Sequence, residues 1–289
     1  MSNFYDFLAN TKEFKKFKVD DLLFVEYKCF DEGITTELWT HNNFFSFILK
    51  GKMHWKIGDQ ELLVKKGESF FVKKGSLKVQ TFYKEDFCDL IVFVPDDFIK
   101  GVIDKYKISF KPKGRTNKKD SIFPLQSEKI LTAYFDSLLS YFAQKKPPHK
   151  SLLRLKFEEL IINIISNENN IPLINHFKRL CEKSKIPISE IMEANFTSNL
   201  SLKEFARLCG RSLSTFKRDF FKTFGTSPGN WLINKRLEFS KNLLDTTDKN
   251  IYEIIFDSGF KDRSHFIRMF KKEFGTTPFK YRKNLKLIK

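Results

Sequence analysis

Two clusters of basic and hydroxyl side chains have the types and spacing of a surface that reads nucleic-acid bases. One holds Arg211, Ser214, Lys217 and Arg218, and the other Arg263, Ser264, Ile267, Arg268 and Lys271. Arginine donates two parallel hydrogen bonds to guanine O6 and N7, lysine and serine reach acceptors or phosphates, and an aliphatic such as Ile267 can meet a thymine methyl. Steps of three and four residues put each cluster on one side of a helix. On the opposite side the spacing turns Leu213, Phe216, Phe220 and Phe224 inward in the first cluster, and Phe266, Phe270 and Phe274 in the second. A solvated face on an ordinary core helix would explain either cluster alone. It does not explain two clusters with matched surroundings.

Those surroundings repeat. SLKEFARLCG (201–210) reads as a helix with Leu202, Phe205 and Leu208 on one face, with Ser201 as N-cap and Glu204 completing a capping box. A break at Gly210 and the helix SLSTFKRDFFKTF follow, then Gly225 as a left-handed cap and Ser227-Pro228 as the next helix start. IYEIIFDSGF (251–260) and RSHFIRMFKKEF (263–274) restate this plan, with Gly275 as cap and Thr277-Pro278 as restart. The second helices match at an offset of fifty and the turn glycines Gly210 and Gly259 at forty-nine, so the second turn is one residue longer. Each copy is a helix-turn-helix. Between them, 227–247 places Leu232, Phe239 and Leu243 on one stripe beside Trp231 and Leu244, which predicts a linker helix of four to five turns. A rigid linker lets one chain enter two major-groove segments about 34 Å apart, as paired helix-turn-helix subunits do.

Charge supports this placement. The 289-residue chain carries a formal net charge of +17. Residues 196–289 hold 20 Lys/Arg against 9 Asp/Glu, or +11, whereas residues 1–195 hold 32 against 26, or +6. A basic last third suits a polyanion. No apolar run is long enough to span a bilayer, and the charged N-terminus lacks the features of a signal peptide, so a soluble, cytoplasmic protein without a membrane partner is expected. Cys29, Cys88, Cys181 and Cys209 are scattered and read as buried free thiols.

The first part of the chain has a different rhythm. From about 22 to 94, short aromatic and β-branched runs alternate with turns at Gly51, Gly58-Asp59, Gly67 and Gly75, the pattern of a small barrel or sandwich. After Pro95 the period becomes helical: 127–144 carries Ile130, Tyr134, Leu138 and Tyr141 on one face, and 151–167 carries Leu152, Leu155, Leu160 and Ile164. Prolines in KKPPHK separate them into two antiparallel helices, whose aliphatic excess predicts a homodimer contact through 127–167. The polar stretch 106–124 reads as a connection, and the boundary between halves is expected within 167–187.

No catalytic signature is present: no GxGxxG, Walker loop, nucleophile elbow or HExxH. Of His41, His54, His149, His176 and His265, only His41 and His54 fall in the barrel, so no metal site, cofactor or enzyme activity is expected. Phe44, Phe45, Phe47, Trp55, Phe70 and Phe71 read as a packed core in preference to a pocket lining.

The segment GFKDRSHFIRMFKKEFGTTPFKYR (259–282) resembles the closing signature of the AraC/XylS family of bacterial transcription regulators, and the resemblance extends over about 190–283. It implies DNA binding by two helix-turn-helix motifs and recruitment of RNA polymerase, with activation suggested by the family. It further implies a cupin-type barrel that answers a small-molecule or protein effector, followed by helices that form the dimer contact. GESFFVKKGSLKVQT (67–81) followed by LKFEELIINI (155–164) is similar to the ExsA-type branch, whose regulatory half communicates with partner proteins. Two positions depart from the family pattern. Ile255 stands where a small residue is usual, and Phe221 where a lysine would contact a phosphate. The expected fold is therefore α+β: a cupin-like regulatory domain (1–170; barrel about 22–94, helices about 127–167), then an all-α DNA-binding domain (187–289).

Overall fold

Aromatic and β-branched runs punctuated by glycine turns become strands here because both faces of their sheet are covered. The computed structural model describes residues 2–29, 35–57, 60–80, 87–110, 120–126, 129–144, 146–182 and 187–288. The chain divides into two units, Met1–Lys185 and Ile186–Lys289.

The first unit runs β1 (Ser2–Asn3), α1 (Phe4–Asn10), β2 (Lys15–Val19), β3 (Leu22–Cys29), β4 (Thr35–Thr40), β5 (Asn43–Lys50), β6 (Lys52–Ile57), β7 (Gln60–Lys65), β8 (Ser69–Val72), β9 (Gly75–Gln80) and β10 (Phe87–Val94). It continues with α2 (Asp96–Lys105), β11 (Ile122–Leu125), α3 (Lys129–Phe142), α4 (Lys150–Ser166) and α5 (Ile171–Glu182). A six-stranded antiparallel sheet, ordered β11-β8-β5-β10-β3-β2, is its backbone. The hairpin β6-β7 and the sheet β1-β4-β9 complete the strand domain.

Strand alternation sorts the phenylalanines into two layers. Phe44, Ile48, Phe70, Ile91 and Phe93 join Met53, Trp55 and Val64 in one core on the inner face. On the other face Phe47 stacks on Phe135 of α3 at 4.4 Å, Phe24 on Phe157 of α4 at 3.8 Å, and Phe71 meets Phe177 of α5 edge-on at 5.6 Å. Phe44, Phe45, Phe47, Trp55, Phe70 and Phe71 are all buried, as a packed core requires.

Three sequence expectations change. The 106–124 connection ends in β11, where Ile122 and Phe123 are buried and Pro124 is tolerated because the strand sits at the sheet edge. The first unit runs past residue 170 through α5, which buries Leu173, Phe177 and Leu180, while the division between units at 185/186 lies within the expected 167–187. The helices α3 and α4 turn neighbouring stripes inward: Leu131, Phe135 and Phe142 are buried with Tyr134 and Leu138, while Ile130, Leu152 and Leu155 face outward. The Gly58-Asp59 turn and residues 111–119 lie outside the described residues. His41 is within 3.2 Å of Asn3, and His54 is 3.5 Å from Glu61. Among the described residues no group of three or more metal-ligating side chains gathers, and no helix is long and apolar enough to cross a membrane.

One buried polar group stands out in the inner core. Asp89 lies opposite Ile48 and Tyr27 on β10, accepts a hydrogen bond from Ser46 at 2.6 Å, and has no partner for its Oδ1. Burial pushes this carboxyl up to about 7, against the smaller opposing effect of the Ser46 bond. In the unfolded chain the group ionises near 4, so between there and about 7 the folded state holds the extra proton. Stability is therefore full at low pH and is lost as pH rises through about 7. Asp89→Asn keeps the Ser46 contact and removes the charge. Thermal unfolding should show it raising Tm at pH 8 by more than at pH 5, and an equal shift at both would contradict the account.

Candidate nucleic-acid interface

The second unit is helical: α6 (Ile188–Asn195), α7 (Leu202–Leu208), α8 (Leu213–Phe224), α9 (Pro228–Thr246), α10 (Ile251–Asp257), α11 (Arg263–Phe274) and α12 (Pro278–Ile288). Each start has a chemical cause. Ser201 and Glu204 form the expected capping box on α7, and Asn250 with Glu253 forms a second one on α10. Ser212 and Asp262 cap α8 and α11 through the backbone N–H groups of Thr215 and His265. Both of those helices end in left-handed glycines, Gly225 at φ 66° and Gly275 at φ 73°. Pro228 and Pro278 then open α9 and α12.

Burial bears out the expected inward residues except one. Phe216, Phe220, Phe266 and Phe270 have no exposed surface, and Phe224 and Phe274 are half-buried. Leu213, however, is 37% exposed. It is the first residue of α8, before the helix has turned onto the core. Ile255 is buried in the second motif's core with Ile254, Phe260 and Phe266, and Phe221 is 60% exposed on α8.

The linker α9 is a rod of 19 residues, about 28 Å long at 1.5 Å per residue. It buries Trp231, Leu232, Leu237 and Leu244, and Leu237 and Leu244 belong to the second motif's core. At its middle, Arg236 donates to the Phe196 carbonyl at 2.7 Å and to the Ser198 carbonyl at 2.8 Å. The family-signature residues Tyr281 and Arg282 also act inside the fold. The Tyr281 hydroxyl meets Asp245 at 2.9 Å and Arg282 donates to the Lys249 carbonyl at 3.1 Å, tying α12 to α9 and the segment before α10.

Against this frame the nine sequence-selected side chains separate. Ser214, Lys217 and Arg218 on α8, and Ser264, Arg268 and Lys271 on α11, are exposed on the side away from the buried phenylalanines; Arg263 is exposed too, but it stands three residues before Phe266, on the phenylalanine side of the first turn like its counterpart Leu213. Arg211 and Ile267 differ. The Arg211 side chain is only 11% exposed; it pairs with Asp219 at 3.3 Å and donates to the Cys209 carbonyl at 2.8 Å, stapling the first turn to α8. Ile267 is half-buried and packs on the second core. The sequence reading missed Arg236 and Asp219, whose roles depend on contacts 40 and 8 residues away in the chain. Only the missing carboxylate neighbour at i±3 or i±4 of Arg236 hinted at a cation used internally.

The turn glycines, equivalent by sequence, are not equivalent in space. Both have positive φ, 63° at Gly210 and 83° at Gly259. A β-carbon at Gly210 would meet open space, whereas one at Gly259 would overlap the backbone carbonyl of Thr197. Gly210→Ala should therefore cost only backbone strain, about 1 kcal/mol. Gly259→Ala adds a steric collision with backbone and should cost about 2–4 kcal/mol. Denaturant unfolding followed through the second unit would check this, and equal costs would show that the close approach to Thr197 is not maintained.

Comparison with known proteins gives concordant matches for both units. Residues 43–176 match the ExsA N-terminal regulatory domain and residues 205–284 match a helix-turn-helix domain. The virulence regulon transcriptional activator VirF of Yersinia enterocolitica is 26% identical over 235 residues, covering 80% of this chain and 85% of that protein. The HTH-type transcriptional regulator ExsA of Pseudomonas aeruginosa is 25% identical over 238 residues, covering 81% and 84%. Among solved structures, ToxT from Vibrio cholerae aligns over 91% of this chain and 98% of its own at 16% identity, with a TM-score of 0.39.

Proposed function

We propose that this chain, which belongs to the AraC/XylS family of transcription regulators and to its ExsA-type branch, lays α8 and α11 into two successive major-groove segments on one face of DNA. It is a sequence-specific DNA-binding regulator and an activator, not an enzyme. The observation that carries the geometric reading is the pairing of two 12-residue helices, capped alike, on one frame, each presenting exposed cations opposite buried phenylalanines. Ser214, Lys217 and Arg218 form one reading head, and Arg263, Ser264, Arg268 and Lys271 the other. Arg211 and Ile267 hold the heads in shape. Phe221 takes no phosphate, so the first head grips the backbone less tightly than the family pattern implies.

The regulatory unit controls this activity. Its aromatic interior is packed by Phe44, Trp55, Phe70 and Phe93, which favours control by a protein partner over a small molecule seated among the strands. Once on the promoter the protein recruits RNA polymerase, and it works in the cytoplasm. Dimerisation uses the outward sides of α3 and α4, where Ile130, Leu152 and Leu155 are exposed and Leu155 is 54% accessible.

DNA selected from random sequence by the full-length protein at physiological salt should yield two blocks about ten base pairs apart. Affinity should fall steeply with salt as phosphate contacts release counterions. Arg218→Ala and Arg268→Ala should each cost about 1–3 kcal/mol at one base step and relax preference there. Arg211→Ala should lower stability while leaving base preference in the folded protein intact. Selection of no motif, or uniform weakening by both exposed-arginine variants, would overturn the reading. For the dimer, a Leu152→Asp/Leu155→Asp variant should sediment as a monomer where the parent sediments as a dimer.

A further inference from the structure

The two reading heads are not chemically equivalent at their N-terminal ends. Tyr252 is the second residue of α10 and Arg263 the first of α11. The Arg263 guanidinium lies over the Tyr252 ring with its carbon 4.5 Å from the ring centroid, and its Nη1 donates to the Tyr252 hydroxyl. The ring beneath the guanidinium and the bond to the hydroxyl hold the side chain at two points. Both side chains are exposed, Tyr252 to 62%, so the pair is no part of the core.

We infer that Tyr252 is a positioning residue that holds Arg263 ready to read a guanine, so that the second head carries a base discrimination that the first head lacks. An exposed arginine otherwise samples many rotamers and must lose that freedom when it binds. One of its five N–H donors is taken by the tyrosine, leaving enough for a two-bond contact to O6 and N7. The residues at the N-terminus of a recognition helix are those that meet base edges.

The first motif supplies the internal control. At the forty-nine-residue offset that relates α7 to α10, Lys203 stands where the second motif has Tyr252. At the fifty-residue offset that relates α8 to α11, the exposed Leu213 stands where it has Arg263. An aliphatic residue and a solvated lysine cannot make such a clamp. The repeat therefore preserves the frame while the two heads differ at one matched point of contact.

This inference rests on the DNA-binding reading above. The test is selection of DNA from random sequence by the full-length parent, Arg263→Ala, Tyr252→Leu, Tyr252→Phe and Arg268→Ala, each checked for folding by its thermal melt. Arg263→Ala should abolish a guanine preference at one position. Tyr252→Leu should weaken that same preference by about two- to thirtyfold, the range of a cation–π contact, with affinity for unrelated DNA unchanged. Tyr252→Phe, which keeps the ring, should retain most of the preference, and the Tyr252→Leu/Arg263→Ala double variant should be no worse than Arg263→Ala alone. If Tyr252→Leu leaves that position unaltered, or weakens all sequences alike as loss of a phosphate contact would, the positioning role is wrong. Arg268→Ala separates the two failures. A change at its own base step with none from Tyr252→Leu overturns only the clamp, whereas no change from either arginine variant overturns the DNA-reading orientation as well.

Discussion

The part-buried guanidinium of Arg236 in the linker helix ties that helix to the segment before the first motif. It takes the backbone carbonyls of Phe196 and Ser198, at 2.7 and 2.8 Å, and burial lowers its affinity for its proton below that of an ordinary arginine. The carbonyl dipoles offset part of that desolvation, as a buried cation requires. Between those two residues lies Thr197, whose carbonyl occupies the space a side chain at Gly259 would need. Phe196 also meets Phe239 of the same linker edge-on, with ring centroids 5.5 Å apart. The segment before the first motif, the linker and the turn of the second motif therefore converge on three residues. Removing the cation would take the Arg236 hydrogen bonds from the Phe196 and Ser198 carbonyls and loosen the linker's hold on that segment.

This convergence explains why net charge is an imperfect guide to the binding face. The second unit has 20 basic side chains, yet several of them work inside the fold. Arg211 staples the first turn through Asp219, Arg236 locks the linker, and Arg282 ties the last helix to the Lys249 carbonyl. Exposed on α8 and α11 are Lys217, Arg218, Lys222, Arg263, Arg268, Lys271 and Lys272, placed where cations can neutralise phosphates or read bases. The regulatory unit shows a parallel economy of apolar residues. Its central strands are hydrophobic along nearly their whole length because helices cover one face and the hairpin β6-β7 the other, which leaves Asp89 as an ionisable group in an apolar layer.

Much of the second unit was legible in the chain because its signals are local. Caps, left-handed glycines, prolines at helix starts and the three-and-four spacing of phenylalanines each act within a turn or two, so they read the same in sequence and in space. The regulatory unit was less legible. The edge strand at 122–125 has no alternation of its own to announce it, and its existence depends on β8 lying alongside. Helical spacing locates α3 and α4 to within a few residues but does not separate Ile130 from the buried Leu131, because both neighbours are apolar and only the sheet chooses between them.

By itself the sequence determined that the chain has two helix-turn-helix motifs fifty residues apart, with matched caps and a basic outer face, since backbone capping and helical periodicity are short-range effects. Tertiary structure alone decided which members of that pattern are interchangeable. Gly210 and Gly259 read alike, but only Gly259 faces a backbone carbonyl; Arg211 and Arg263 both precede or open a recognition helix, but one is tied to Asp219 and the other is held on Tyr252 in solvent. Close approach and ion pairing are set by residues distant in the chain, and no local spacing encodes what will lie opposite a side chain once the helices have packed.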